Sequence, residues 1–236
     1  MHARTIAYTL AKNEVFWLSR YLYKFFQKIL LTATYFIGAV FMRLKIEGRE
    51  NAESVKDGPL LVIANHKSYL DPLLMGMCFP FFSKRFPLRF MTWDDLFKRF
   101  FYGLAMRILG AFPAFEKQGM DKSLFIPRKL LKMGGTVIFF PEGQCYREDG
   151  LMPAKRGIGV LALRYPNVPI LPIAISGTHN VTNLFCLFTR PKVRIRIGKP
   201  FRLTDKKSEL GPSISSPTDV SANFMAEIEK NYRQIT

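Results

Sequence analysis

The stretch LLVIANHKSYLDPLLMGMC, residues 60–78, passes from one periodicity to another. Residues 60–64 are apolar without a break, which suits a strand covered on both faces. A polar loop follows, and from Pro72 onward the apolar residues read as a helix. The same alternation recurs on either side. Strands are predicted at 60–64, 88–92, 136–140, 170–175 and 193–197, and helical patterns at 72–78, 94–109, 122–133 and 153–165. This order predicts an α/β fold, a single domain over 44–236 with a mostly parallel sheet flanked by helices. The Ser- and Pro-rich residues 208–218 read as a loop before a last amphipathic helix. Functional groups in such sheets lie beyond the carboxyl ends of strands, which points to His66 after 60–64 and to Glu142 after 136–140.

Composition narrows the partners. The 236 residues carry 35 Lys and Arg against 18 Asp and Glu, a net charge of +17, so the partners are anionic: nucleic acid, an acidic membrane face, or a phosphate-bearing or acidic molecule. The 22 phenylalanines favour lipid over nucleic acid, and no nucleic-acid-binding module is recognisable. Cys78, Cys145 and Cys186 stand far apart without CxxC or CxxH spacing, so neither a disulfide framework nor a metal site is expected. No GxGxxG, Walker A or GxSxG pattern occurs. His179 reads as structural.

Residues 15–42, VFWLSRYLYKFFQKILLTATYFIGAVFM, are apolar and aromatic but carry Arg20, Lys24 and Lys28 at spacings of four. On a helix these cations form one slowly rotating stripe. The uncharged part, 29–42, rises roughly 21 Å, short of a hydrocarbon core of about 30 Å. Residues 1–43 are therefore expected to be an amphipathic, membrane-associating helical segment lying in one leaflet on the cytoplasmic face. A buried core helix, or a span with Lys24 and Lys28 snorkelling, uses the same residues.

Two readings fit His66 and Asp71. Asp71 precedes a proline, which favours an N-cap with Pro72 at the first helical position and leaves His66 an incidental loop residue. On an ideal helix residues five apart lie about 140° apart and do not meet. A turn that folds His66 back over Asp71 gives the other reading: the carboxylate fixes the imidazole tautomer, and the second ring nitrogen takes a proton from a substrate hydroxyl.

A second signal lies at residues 137–163, VIFFPEGQCYREDGLMPAKRGIGVLAL. A strand ends in Pro-Glu-Gly, and a charged loop leads to a helix start rich in small residues. Gly157 and Gly159 beside Lys155 and Arg156 offer bare backbone and two cations to a phosphate, and Glu142 offers acceptors to a polyol. Read structurally, Gly143 is a turn residue and the Lys-Arg pair a solvated helix end.

Together the two stretches resemble the glycerophospholipid acyltransferase family, whose best-known members are the 1-acylglycerol-3-phosphate O-acyltransferases. NHKSYLD matches the family's NHxxxxD block at Asn65, His66 and Asp71; FPEGQCY keeps Phe140, Pro141, Glu142 and Gly143 of a later block; VPILPIAISGT resembles a proline-bearing strand block at Pro172. The resemblance covers roughly residues 44–201. It implies transfer of an acyl chain from a coenzyme A or acyl carrier protein thioester to the free hydroxyl of a lysophospholipid such as lysophosphatidic acid. His66 is then the general base and Asp71 its orienting carboxylate, with no cofactor beyond the thioester co-substrate. The candidate substrate-binding residues are Asn65, Glu142, Gly143, Arg147, Lys155, Arg156 and Lys117.

The match has gaps. The family's second block usually ends in an arginine that takes the acceptor phosphate, but here LGAFPAFEKQG, residues 109–119, puts Phe115 and Glu116 at those places, with Lys117 one position late. Gln144 and Cys145 replace threonine and arginine of the later block. Either Lys117, Arg147, Lys155 and Arg156 bind the phosphate from other directions, or the acceptor carries a different head group. A basic peripheral membrane protein without chemistry is the non-enzymatic alternative.

Overall fold

The computed structural model describes residues 20–55, 57–179, 190–205 and 216–236. It opens with helix α1 (Arg20–Phe41), strand β1 (Arg43–Glu47) and helix α2 (Arg49–Ser54). Strand β2 (Leu60–Ala64), helix α3 (Asp71–Gly76) and strand β3 (Leu88–Thr92) follow. A 3-10 turn (Asp94–Lys98), helix α4 (Phe100–Leu109), strand β4 (Ala111–Pro113), a second 3-10 turn (Glu116–Gln118), and helices α5 (Met120–Ser123) and α6 (Phe125–Lys132) come next. The chain continues through β5 (Thr136–Phe139), α7 (Gly157–Arg164), β6 (Ile170–Ser176), β7 (Lys192–Ile197) and α8 (Pro217–Tyr232).

The strands form one seven-stranded sheet in the order β1-β7-β6-β2-β5-β3-β4. Every pairing is parallel except β6 with β7. Five strands therefore end at one edge of the sheet, and β1 and β7 run the other way. The α/β fold with a mostly parallel sheet is the one the sequence pattern predicts.

Both faces of the sheet are covered, which explains the unbroken apolar run of β2. Leu60, Val62 and Ala64 enter one core with Leu74, Met75 and Phe79 from the α3 region and Leu31 from α1. Leu61 and Ile63 enter the other, with Leu130 of α6, Leu161 of α7 and Phe224 of α8. Alternate residues of one strand serve opposite cores, as the pleat requires.

The structure departs from the sequence pattern in several places. β1, RLKIE, and the three-residue β4 were not expected; one alternates charged with apolar residues at the sheet edge, and the other is too short to carry a period. The helix expected at 94–109 breaks at Arg99, whose backbone is extended, and the break lets Gly103 pack against the backbone of Phe97. The helix expected at 122–133 is interrupted at Leu124, because Pro127 has no N–H to give the carbonyl of Ser123. The helix expected from 153 starts only at Gly157, since the amide of Lys155 is held by the carbonyl of Pro141 at 2.8 Å.

Part of the expected membrane segment, residues 1–19, lies outside the described residues. Within α1, Tyr23, Gln27, Leu31 and Thr34 are buried while Leu22, Phe25, Ile29, Phe36 and Val40 are exposed, an apolar outer stripe at helical spacing. Among the described residues no helix is long and apolar enough to cross a membrane.

Candidate active site

The sheet register sets the site. Ile63 of β2 pairs with Phe139 of β5, so His66 and Glu142, each three residues further on, emerge side by side beyond the carboxyl ends of two adjacent parallel strands. The amide of Tyr146 donates to the carbonyl of His66 at 2.8 Å, and this ties the loop after β5 to the loop after β2.

Between β2 and α3 the chain turns back on itself. Asp71 Oδ2 accepts from the amides of Lys67 at 2.6 Å and Ser68 at 2.7 Å, and His66 Nδ1 lies 2.9 Å from the same oxygen. The Asp71 amide donates to the carbonyl of Ser68. This geometry corrects the expectation that Asp71 caps α3. The cap position is Leu70, without a side-chain bond, and Asp71 is the first helical residue with its carboxylate turned back toward the preceding loop. Asp71 is fully buried and the His66 side chain is 14% exposed, so a fixed carboxylate stands behind a ring that reaches the surface. With Nδ1 engaged, Nε2 is the nitrogen placed to exchange a proton. Phe140 stacks on the imidazole, 4.3 Å between centroids at 21°, and locks its plane.

Glu142 is 2% exposed, and neither carboxylate oxygen has a hydrogen-bond partner. Burial pushes its pKa up to about 7; the amide of His66, facing the group outside hydrogen-bond geometry, and the charge of Lys67 oppose the shift. Lys67 is itself buried. Its ammonium donates to the carbonyl of Glu148 at 2.6 Å and to that of Gly150, and lies 5.0 and 5.4 Å from the ring centroids of Tyr146 and Tyr232. Burial lowers its pKa, opposed first by the Glu142 carboxylate. Lys67 thus pins the 146–150 loop to the site and to α8.

Phe140 also lines a cleft of about 510 Å³, together with Pro141, Gly143, Lys155, Arg156, Gly157 and Met120. Gly143 has φ +71° and its amide closes a turn onto the carbonyl of Phe140. A Cβ there would stand 2.5 Å from Cε of Lys155, whose side chain crosses the turn. The exposed cations Lys155 and Arg156 therefore sit at a cleft that shares Phe140 with the histidine.

Not every expected residue joins these groups. Asn65 is fully buried, and its amide donates to the carbonyl of Ile175 and accepts from the Ile175 amide, both at 2.8 Å. This corrects the expected substrate contact: the side chain acts as a backbone mimic that binds the end of β2 to β6. Lys117, on the second 3-10 turn, and Arg147 are exposed and do not line the cleft. The Arg147 guanidinium lies 5.9 Å from the ring of Tyr69. The Cys145 thiol, in the place of a family arginine, is pushed up by burial and then by the Asp71 charge. Sequence reasoning missed Lys67 and the stacking role of Phe140. A lysine between His66 and Asp71 carries no mark of burial, but the phenylalanine next to Pro-Glu-Gly was available as a signal.

The candidate site is thus a histidine held by a buried carboxylate at the end of a parallel strand, beside a glutamate from the next strand. Residues 43–176 match the family model described as Acyltransferase, and the chain belongs to that family. It is 30% identical over 167 residues to a chloroplastic 1-acyl-sn-glycerol-3-phosphate acyltransferase of Brassica napus, covering 68% of this chain and 45% of the relative. A 1-acyl-sn-glycerol-3-phosphate acyltransferase of Bacillus subtilis is 27% identical over 163 residues, covering 69% of this chain and 75% of the relative. The chain thus spans under half the length of the plant relative. The crystal structure of the 1-acyl-sn-glycerophosphate (LPA) acyltransferase of Thermotoga maritima superposes with a TM-score of 0.63 at 20% identity, covering 97% of this chain and 88% of that one, a likeness of fold.

Proposed function

We propose that the protein transfers a fatty acyl chain from a thioester, of coenzyme A or of acyl carrier protein, to the free hydroxyl of a lysophospholipid of the lysophosphatidic acid type. The reading is carried by the 2.9 Å contact of His66 Nδ1 with buried Asp71 Oδ2. Nε2 takes the proton of the acceptor hydroxyl as its oxygen attacks the thioester carbonyl; the tetrahedral intermediate collapses, the C–S bond breaks, and the proton returns to the departing sulfur. No nucleophile of the protein is required, because the acceptor oxygen forms the new ester.

The names of the relatives favour a glycerol phosphate acceptor, and Lys155 and Arg156 supply its cations at the cleft beside Phe140. Glu142, buried and unpartnered, is placed to meet a polar group of the acceptor. The exposed apolar stripe of α1 supports residence in one membrane leaflet, where both the acceptor and the acyl chain partition. The test is thiol release from a long-chain acyl thioester, with and without each of several lysophospholipids, together with the mass of the lipid product. Acceptor-dependent release with an acylated lysophosphatidic acid is expected. Free fatty acid formed without an acceptor would instead indicate hydrolysis.

A further inference from the structure

Away from the site, Phe82, Trp93, Phe100, Phe101, Tyr102 and Leu104 are 84, 48, 77, 80, 58 and 47% exposed. Four of these six occupy the first half of α4, and the helix does not need them for packing: Gly103 is buried and Met106 and Leu109 pack on the core. The start of β3, the far end of α4 and the rings of Phe81 and Phe82 each meet one turn of α1. Gln27 donates to the carbonyl of Leu88 at 2.7 Å and to that of Leu109 at 3.0 Å, and it accepts from the Leu88 amide at 2.8 Å. The next residue, Lys28, holds its ammonium 4.9 Å from the ring centroids of both Phe81 and Phe82.

Cations are interleaved with the rings. The Arg99 guanidinium lies 5.9 Å from the Tyr102 ring and that of Arg107 5.5 Å from Phe97. The acidic residues of the 3-10 turn are Asp94 and Asp95, and Asp95 pairs with exposed Lys98. Protruding aromatics with cations beside them suit the boundary of a bilayer, rings at the level of the head groups and charges at the phosphates. With the net charge of +17, an anionic leaflet complements this face.

We infer that the aromatic first half of α4, with Phe82 and Trp93, is a second lipid-contacting surface beyond the outer stripe of α1, and that its occupant is an anionic membrane leaflet. The inference deepens the membrane placement proposed above, but its test requires no turnover. The chain has two tryptophans, Trp17 and Trp93, so Trp17→Phe leaves Trp93 as the single reporter. On vesicles of phosphatidylglycerol and phosphatidylcholine its emission shifts to the blue and is quenched by lipids brominated near the head group, and vesicles of phosphatidylcholine alone bind more weakly. Phe100→Ser with Phe101→Ser weakens vesicle binding by at least about tenfold, from the apolar area withdrawn. Bound protein with Trp93 unshifted and unquenched would overturn the inference, as would unchanged binding by a double variant that melts like the parent. A dimer in vesicle-free solution that the double variant dissolves would assign the face to a second copy and also overturn it. Quenching without acyl transfer would leave this surface standing and refute only the catalytic reading.

Discussion

The two regions that share Phe140 are built differently. On one side His66 and Glu142 follow two strand ends, backbone amides hold Asp71, and backbone carbonyls hold Lys67, with Asp71, Lys67 and Glu142 almost wholly removed from water. On the other side Lys155 and Arg156 are exposed cations at an open cleft. The buried side has one geometry because each polar group there is desolvated and costly to misplace. The departures from the family blocks do not line the open side: Phe115 is buried, and Cys145 lies within reach of the Asp71 charge. In this account the buried side carries the reaction and the open side chooses the acceptor.

The largest effect that separates the two sides is expected from His66→Ala. Losing a positioned base lowers kcat on the order of 10²–10⁴-fold, while vesicle binding, measured by flotation, stays at the parent level. A variant that turns over at the parent rate would remove the division altogether.

Next in size, Lys155→Ala with Arg156→Ala is expected to raise KM for lysophosphatidic acid by about 10²-fold, from two charge-assisted hydrogen bonds of about 1.5 kcal/mol or more each. KM for the thioester and kcat at saturating acceptor remain near those of the parent. If an acceptor without a phosphate, such as a monoacylglycerol, suffers equally, the cations do not read the phosphate.

Glu142 sharpens the comparison through pH. Its folded pKa, about 7, lies above the ordinary value of 4.5, so between these values the folded protein binds more protons than the unfolded chain. The contribution of this group to stability then falls as pH rises through that window. In urea titrations Glu142→Gln is expected to remove a loss of about 3 kcal/mol between the two limits. Parallel pH profiles for parent and variant would show that the carboxyl is not desolvated.

The smallest effect is expected from Lys67→Met. It exchanges a buried ammonium for an apolar side chain of similar length and shifts stability by about 1 kcal/mol or less. Amide exchange in residues 146–150 nevertheless becomes faster, because the ties to the carbonyls of Glu148 and Gly150 are gone. Unchanged exchange there would deny Lys67 its hold on the loop.

Much of the buried side was legible in the sequence for a physical reason. β2 and β5 are short apolar runs covered on both faces, so their ends are sharp, and the residues just past those ends are the ones a parallel sheet presents. The pairing of Ile63 with Phe139, which places His66 beside Glu142, is a long-range fact that no local pattern states. The cap expected of Asp71 was wrong because the Asp-Pro signal describes a backbone preference and cannot show that amides behind the aspartate would claim its carboxylate. Asn65 was misjudged for a related cause: its block position suggested substrate, while its amide completes a strand end. The three-residue β4 was illegible because it is too short to carry a period, whereas the alternation of β1 over five residues was available as a signal. Burial of Lys67 depends on α8, which begins about 150 residues later.

The most direct measurement is the rate of acylated lipid formation by the parent, by His66→Ala and by the Lys155→Ala, Arg156→Ala variant, each across a full range of lysophosphatidic acid. The account predicts that His66→Ala is slow at every concentration, and that the double variant recovers the parent rate once acceptor saturates. Turnover by His66→Ala close to that of the parent would contradict it.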